Sequence, residues 1–263
     1  MYNKTEGDSM QFGFTSNTFR NIKDLEKIVE IATRTGAECI EWSGDIHVTD
    51  AMSAEKAKAL CDKAGISICS YGSYYRVGSC NSEEWKGICT IAYILKAPVI
   101  RIWLGSRDSE KTDEEIYNTL VADLKSMCDI ASGYGISVCP ECHDNTYNNN
   151  TDAFLKIHSD TGKDNFGTYF QSRYRKLTYD LDRIDRTAPL IKCVHVSFFD
   201  MRREQFPSYD GTYMNKIIKK LIETGYDNNL IIEFTYPGFK AGYHFFLKKN
   251  ISKLKSIHKE NSR

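Results

Sequence analysis

The sequence contains no apolar run approaching the roughly 18 residues that a membrane-spanning helix needs, so a membrane protein is not expected. It has no excess of charge: Lys plus Arg and Asp plus Glu both number 35, and no basic stripe exists to neutralise a phosphate backbone. Nucleic acid is therefore not an expected partner. No Pro/Gly/Ser-rich linker or shift in composition divides the chain, which argues for one domain rather than two. The opening MYNKTEGDSM is too polar for a secretory signal, and cytoplasmic localisation is expected, with residues 1 to 9 a flexible leader and 10 to 263 the folded domain. Nine cysteines are present, but they are scattered through apolar patterns, as at Cys69, Cys128 and Cys193, which suits reduced core thiols better than a disulfide framework. The lone C-x-x-C of Cys139 and Cys142 has no thioredoxin-like element order around it, so a redox role is not expected.

What is present is a regular alternation. Short runs rich in β-branched and aromatic residues are each followed by a longer helical pattern, and eight such units can be counted. The spacing predicts strands over 11–15, 38–42, 66–71, 99–104, 136–141, 166–171, 191–196 and 230–234, their starts about 25 to 40 residues apart. Helices are predicted over 21–35 and 52–64, ending at Gly36 and Gly65, over 112–134, opened by TDEE and closed by Gly135, and over 243–258. Eight regular units favour a single (β/α)8 TIM barrel over a doubly wound open sheet.

In such barrels chemistry sits at the C-terminal ends of the strands. Four consecutive strands close on polar residues: Glu141 ends ISVCPE, Gln171 ends FGTYFQ, His195 lies within IKCVHVS and Glu233 within LIIEF. Each is embedded in residues expected to be buried. Two buried carboxylates beside an imidazole are costly unless a cation or shared protons compensate them, and a divalent metal does so. Oxygen donors with one nitrogen suit Mn, Co or Mg, with Zn admissible.

The motifs PECHDNT, VHVSFF and IIEF resemble the xylose isomerase-like TIM barrels, a family that includes ketose 3-epimerases, hydroxypyruvate isomerase, inosose dehydratase and apurinic-site endonucleases. The resemblance implies a metal held at the ends of strands five to eight, here by Glu141, Gln171, His195 and Glu233, with Glu141 and Glu233 also acting as bases. Gln171 departs from the aspartate usual in the family, which lowers the ligand charge; a hydrogen bond to a neighbouring carboxylate without metal contact is the other reading of it. Tyr174 stands where ketose epimerases place a histidine, which weakens a strict 3-epimerase assignment. The expected activity is metal-dependent isomerisation or epimerisation of a small carbohydrate by proton abstraction next to a carbonyl, with the metal stabilising an enediolate. Glu41, Trp42, His47, Tyr71, Trp103, His143 and Arg202 are candidate contacts to substrate hydroxyls or stacking partners. An inosose-type dehydratase and a degenerate sugar-binding barrel without catalysis are the alternatives. An apurinic-site nuclease, which needs many His and Asp ligands, is disfavoured by only six histidines and a neutral charge. The segment TYPGFKAG after strand eight is either a phosphate cradle or a plain turn. A homo-oligomer, dimeric or tetrameric, is compatible with the resemblance.

Overall fold

The computed structural model describes residues 10–172, 176–198, 212–233 and 243–262. The leader expected over residues 1–9, Tyr174, Arg202 and the turn at 235–242 lie outside the described residues. Eight strands run in parallel: β1 (Gln11–Thr15), β2 (Cys39–Ser43), β3 (Ser67–Arg76), β4 (Val99–Trp103), β5 (Ser137–Pro140), β6 (Thr168–Gln171), β7 (Ile191–Val196) and β8 (Asn229–Ile232). They alternate with α1 (Leu25–Thr35), α2 (Ala51–Ala64), α3 (Ser82–Leu95), α4 (Glu114–Ser132), α5 (Thr151–Thr161), α6 (Leu177–Thr187), α7 (Thr212–Glu223) and α8 (Tyr243–Asn261). The strand order β5-β4-β3-β2-β1-β8-β7-β6 bends round until β5 and β6 face each other. That seam is joined at the bridge Val138–Phe166, with Val138 N–H donating to Asn165 O at 2.8 Å and Gly167 N–H to Val138 O at 3.0 Å. The result is a nearly closed (β/α)8 TIM barrel.

Local chemistry sets the helix ends. Asp24 caps α1 and Asp50 caps α2, the latter in a reciprocal capping box with Ser53. Gly36 and Gly65 follow those helices in the left-handed conformation. The first helix begins at Leu25 rather than residue 21, because the Asp24 carboxylate satisfies the amide of Glu26 and so fixes the start. In the TDEE segment the cap is Asp113, whose carboxylate accepts from Ile116 N at 2.9 Å.

Pleat alternation sorts the strand residues into two shells. Phe12, Phe14, Ile40, Trp42, Ile100, Ile102, Val138, Phe170, Val194, Val196, Leu230 and Ile232 belong to the large core between sheet and helices. Cys39, Cys69, Val99, Cys139, Tyr169, Cys193 and Ile231 form a separate buried cluster, the floor of the barrel interior. Two residues further along six of these strands stand Glu41, Arg101, Glu141, Gln171, His195 and Glu233. An apolar floor thus carries a polar layer at the C-terminal mouth. Gly13 lets β1 approach: a Cβ there would lie 2.1 Å from Cys39 O.

Candidate functional site

Among the described residues, Glu141, His195 and Glu233 offer ligand atoms within 4.8 Å of one another, all buried. His195 Nδ1 is 3.7 Å from Glu141 Oε1 and 3.7 Å from Glu233 Oε1, and among the described residues it has no hydrogen-bond partner. Gln171, half-buried on the adjacent strand, donates Nε2–H to Glu233 Oε2 at 2.6 Å, while its Oε1 is unpartnered. Ligand atoms about 2.1 Å from one cation lie roughly 3 to 4 Å apart, so the two oxygens and one nitrogen of Glu141, Glu233 and His195 fit a divalent ion, with the Gln171 amide bonded to the Glu233 carboxylate. The four residues expected from the sequence are therefore brought to one place.

Arg101 was not among those expectations. It occupies the inward position of β4, is buried, and donates Nη1–H to Glu141 Oε2. Trp103 Nε1–H donates to the same oxygen at 3.0 Å. Room for the guanidinium comes from Gly72 on β3, where a Cβ would sit 2.8 Å from Arg101 Nη2. Tyr74, at φ 60°, lies in an irregular stretch of β3 pairing, and the Arg101 guanidinium stands 5.0 Å from the centre of its ring. The signal for Arg101 was present in the sequence: in Val99-Ile100-Arg101 it follows a floor residue by two, as Glu141 follows Cys139 and His195 follows Cys193.

The charges fall into a pattern set by these neighbours. Burial alone raises a carboxyl, but Arg101 and His195 overcome it at Glu141, which is held well below the usual carboxylate range. Glu233 is pushed up to about 7 by burial, with His195 opposing and Glu141 adding to the rise. Burial pulls His195 down, yet Glu41 and Glu233 carry it to about 10. Glu41 is lowered to about 2, since His195 and Arg101 outweigh its own burial.

The substrate-contact candidates separate. Glu41 is fully buried under the site: Ser70 Oγ and Tyr169 OH donate to its Oε2 at 2.8 and 2.9 Å, and His195 Nε2 lies 3.2 Å from that oxygen. A shift in the β2–β3 register between Ile40 and Glu41 is what aligns Ser70 with Glu41. Trp42, His47 and Tyr71 correct the expectation of hydroxyl contacts. Trp42 and Tyr71 point outward into the core between sheet and helices, Tyr71 OH donating to Val48 O at 2.9 Å, and buried His47 bonds through Nε2 to Ile22 O at 2.9 Å. Trp103 does reach the site, but its ring is stacked on exposed His143 at 5.4 Å and carries the Arg76 guanidinium 4.1 Å from its centre. Cys139 and Cys142 are buried, and burial drives the Cys139 thiol far above its ordinary value, so Cys139 offers no thiolate for redox exchange.

Comparison with known proteins bears on the same barrel. Among solved structures, the probable 3-DHS dehydratase AsbF from Bacillus anthracis superposes with a TM-score of 0.77 at 16% identity, over 94% of this chain and 99% of that one. An L-ribulose 3-epimerase gives 0.76 at 14% identity, covering 97% and 96% of the two chains. A xylose isomerase domain protein from Planctomyces limnophilus gives 0.72 at 18% identity, over 97% and 99%. At these identities the likeness is one of fold. A search of curated protein sequences gave no match. The sequence profile of one family does match, over residues 29–254, from within α1 into α8 and through all four strands that supply the cluster. By that match, the chain belongs to the xylose isomerase-like TIM barrel family.

Proposed function

We propose that the protein is a divalent-metal-dependent isomerase or epimerase of a small carbohydrate. The observation that carries this reading is the Glu141–His195–Glu233 cluster with an unpartnered His195 Nδ1 at its centre. Glu141, Gln171, His195 and Glu233 would hold the ion. When bound, the ion supplies Lewis-acid polarisation of a substrate carbonyl and its neighbouring hydroxyl, which makes the adjoining C–H acidic enough for a carboxylate to take.

The chain's own groups do the rest. Arg101 and Trp103 hold Glu141 Oε2 and leave Oε1 toward the site. Gln171 fixes Glu233 through Oε2, so Glu233 Oε1 faces the same space and is placed to receive and return a proton. Epimerisation would need both carboxylates, one on each side of the carbon; isomerisation between adjacent carbons would need one. A second reading, dehydration of a hydroxylated carbonyl compound, is favoured by the overlap at a TM-score of 0.77 with a structure described as a probable dehydratase. It starts with the same proton abstraction and ends with loss of a β-hydroxyl.

The test is to purify the protein, determine its metal content, and incubate it with ketoses, aldoses and inososes in deuterated water. Deuterium uptake at a carbon beside the carbonyl, dependent on added Mn, Co, Mg or Zn, supports the proposal. Uptake accompanied by an unsaturated product identifies the dehydratase, and sugar binding with neither metal uptake nor exchange would leave a binding protein.

A further inference from the structure

We infer that Glu41 is the positioning residue of the site: from the barrel interior it receives the Nε2–H of His195, which leaves Nδ1 as the nitrogen with a free lone pair toward the ion. The inference rests on the metal-dependent reading above. Glu41 is 0% exposed, so it is sealed from any substrate at the mouth, and its role has to be sought in its partners. One of its oxygens, Oε2, gathers three groups: Ser70 Oγ at 2.8 Å, Tyr169 OH at 2.9 Å and His195 Nε2 at 3.2 Å.

A simpler account would make Glu41 the counter-ion of Arg101. The geometry speaks against it. Arg101 Nε is 3.5 Å from Glu41 Oε1 without a hydrogen bond, and both atoms are buried and unpartnered, whereas the hydrogen bond of Arg101 goes to Glu141. The carboxylate is turned so that its satisfied oxygen meets the imidazole. Ser70 and Tyr169 have no acidic proton to trade; they aim the carboxylate. Tyr169 also packs against the His195 ring, with centres 5.0 Å apart and planes at 73°, which fixes the plane in which the imidazole lies. A carboxylate behind a ligating imidazole selects its tautomer and raises its basicity, and loss of such a partner typically costs about 10- to 100-fold in metal affinity.

The test uses intact protein and zinc ion alone as probe. In the 15N-labelled, zinc-loaded parent, long-range proton–nitrogen correlation spectra should show His195 protonated at Nε2 and bare at Nδ1. Glu41→Gln should weaken zinc binding about 10- to 100-fold in a chelator competition, with a shifted His195 Nε2 signal. Tyr169→Phe, which removes one donor to Glu41 but leaves the Nε2 contact, should lose less. A zinc-loaded parent with the proton on Nδ1, or a folded Glu41→Gln with parental affinity and an unshifted His195 signal, overturns the inference alone. Should Glu41→Gln fail to fold, the tautomer of the parent decides. A parent that takes up no divalent ion overturns the functional reading, and this inference with it.

Discussion

Arg101 gives the two glutamates unequal characters. With Arg101 and Trp103 on one oxygen, Glu141 is firmly ionised; Glu233, raised to about 7 and, among the described residues, bonded through its carboxylate by the Gln171 amide, is the better proton carrier. The amide of glutamine keeps the size and one coordinating oxygen of glutamate but takes no proton. At saturating metal, Glu141→Gln and Glu233→Gln should each lose about 10²- to 10⁴-fold in deuterium exchange on a substrate the parent turns over. Near-parental exchange in both would end the two-glutamate mechanism, and a loss confined to Glu233→Gln would identify a single base and favour aldose–ketose isomerisation. Gln171 supports a second prediction. Replacing it with aspartate adds a negative charge to a hard-cation site, so Gln171→Asp should bind Mn²⁺ more tightly, by roughly tenfold. Unchanged or weaker binding in a calorimetric titration would show that Gln171 serves Glu233 and not the ion.

Strands and their close approaches decide how much of this was legible beforehand. Gly13 and Gly87 make a matched pair for a stability test. A Cβ at Gly13 meets the Cys39 carbonyl at 2.1 Å, a backbone atom that cannot step aside, whereas Gly87 on the outer face of α3 has open space. In denaturant titrations Gly13→Ala should lose about 1 to 3 kcal/mol or more, and Gly87→Ala should gain about 0.5 to 1 kcal/mol. A Gly13→Ala protein as stable as the parent would contradict the packing of β1 against β2. The eight strands were readable because alternating apolar runs and glycine caps are local signals; β1 and β7 match to the residue. Glu141, Gln171, His195 and Glu233 were readable because each is a polar residue closing an apolar strand. Arg101 was hidden because Trp103 and Leu104 extend its strand beyond it. Glu41 was identified but given the wrong surroundings, since the contacts that bury it, Ser70 and Tyr169, come from strands 29 and 128 residues away. The length of β3, carried to Arg76 through Tyr74 at positive φ, follows from tertiary contacts with Arg101 and Trp103 and has no local signature.

For the molecule as a whole, the site couples folding, metal and pH. In the metal-free protein Glu41 titrates at about 2 instead of 4.5; a lowered carboxylate contributes stability that is complete above pH 4.5 and is lost as the pH falls through 2. Glu233 has the opposite sign: at about 7 instead of 4.5, the folded state keeps a proton the unfolded chain has released, and stability declines as the pH rises from 4.5 through 7. His195, at about 10 instead of 6.5, contributes stability that is complete below 6.5 and is lost as the pH rises through 10. Together they predict a metal-free protein whose Tm falls between pH 5 and pH 9. A bound cation reverses the preference, because it needs Glu233 ionised and His195 Nδ1 without its proton, so binding should release up to about two protons and tighten as the pH rises. The rise in Tm on adding Mn²⁺ should therefore grow from pH 5.5 to pH 8.5, as thermal melts with and without the ion would record. Calorimetry in two buffers of different ionisation enthalpy counts the protons directly. A metal-free Tm that climbs across this range, or Mn²⁺ binding without proton release, would show that the three groups do not share their charge in this way.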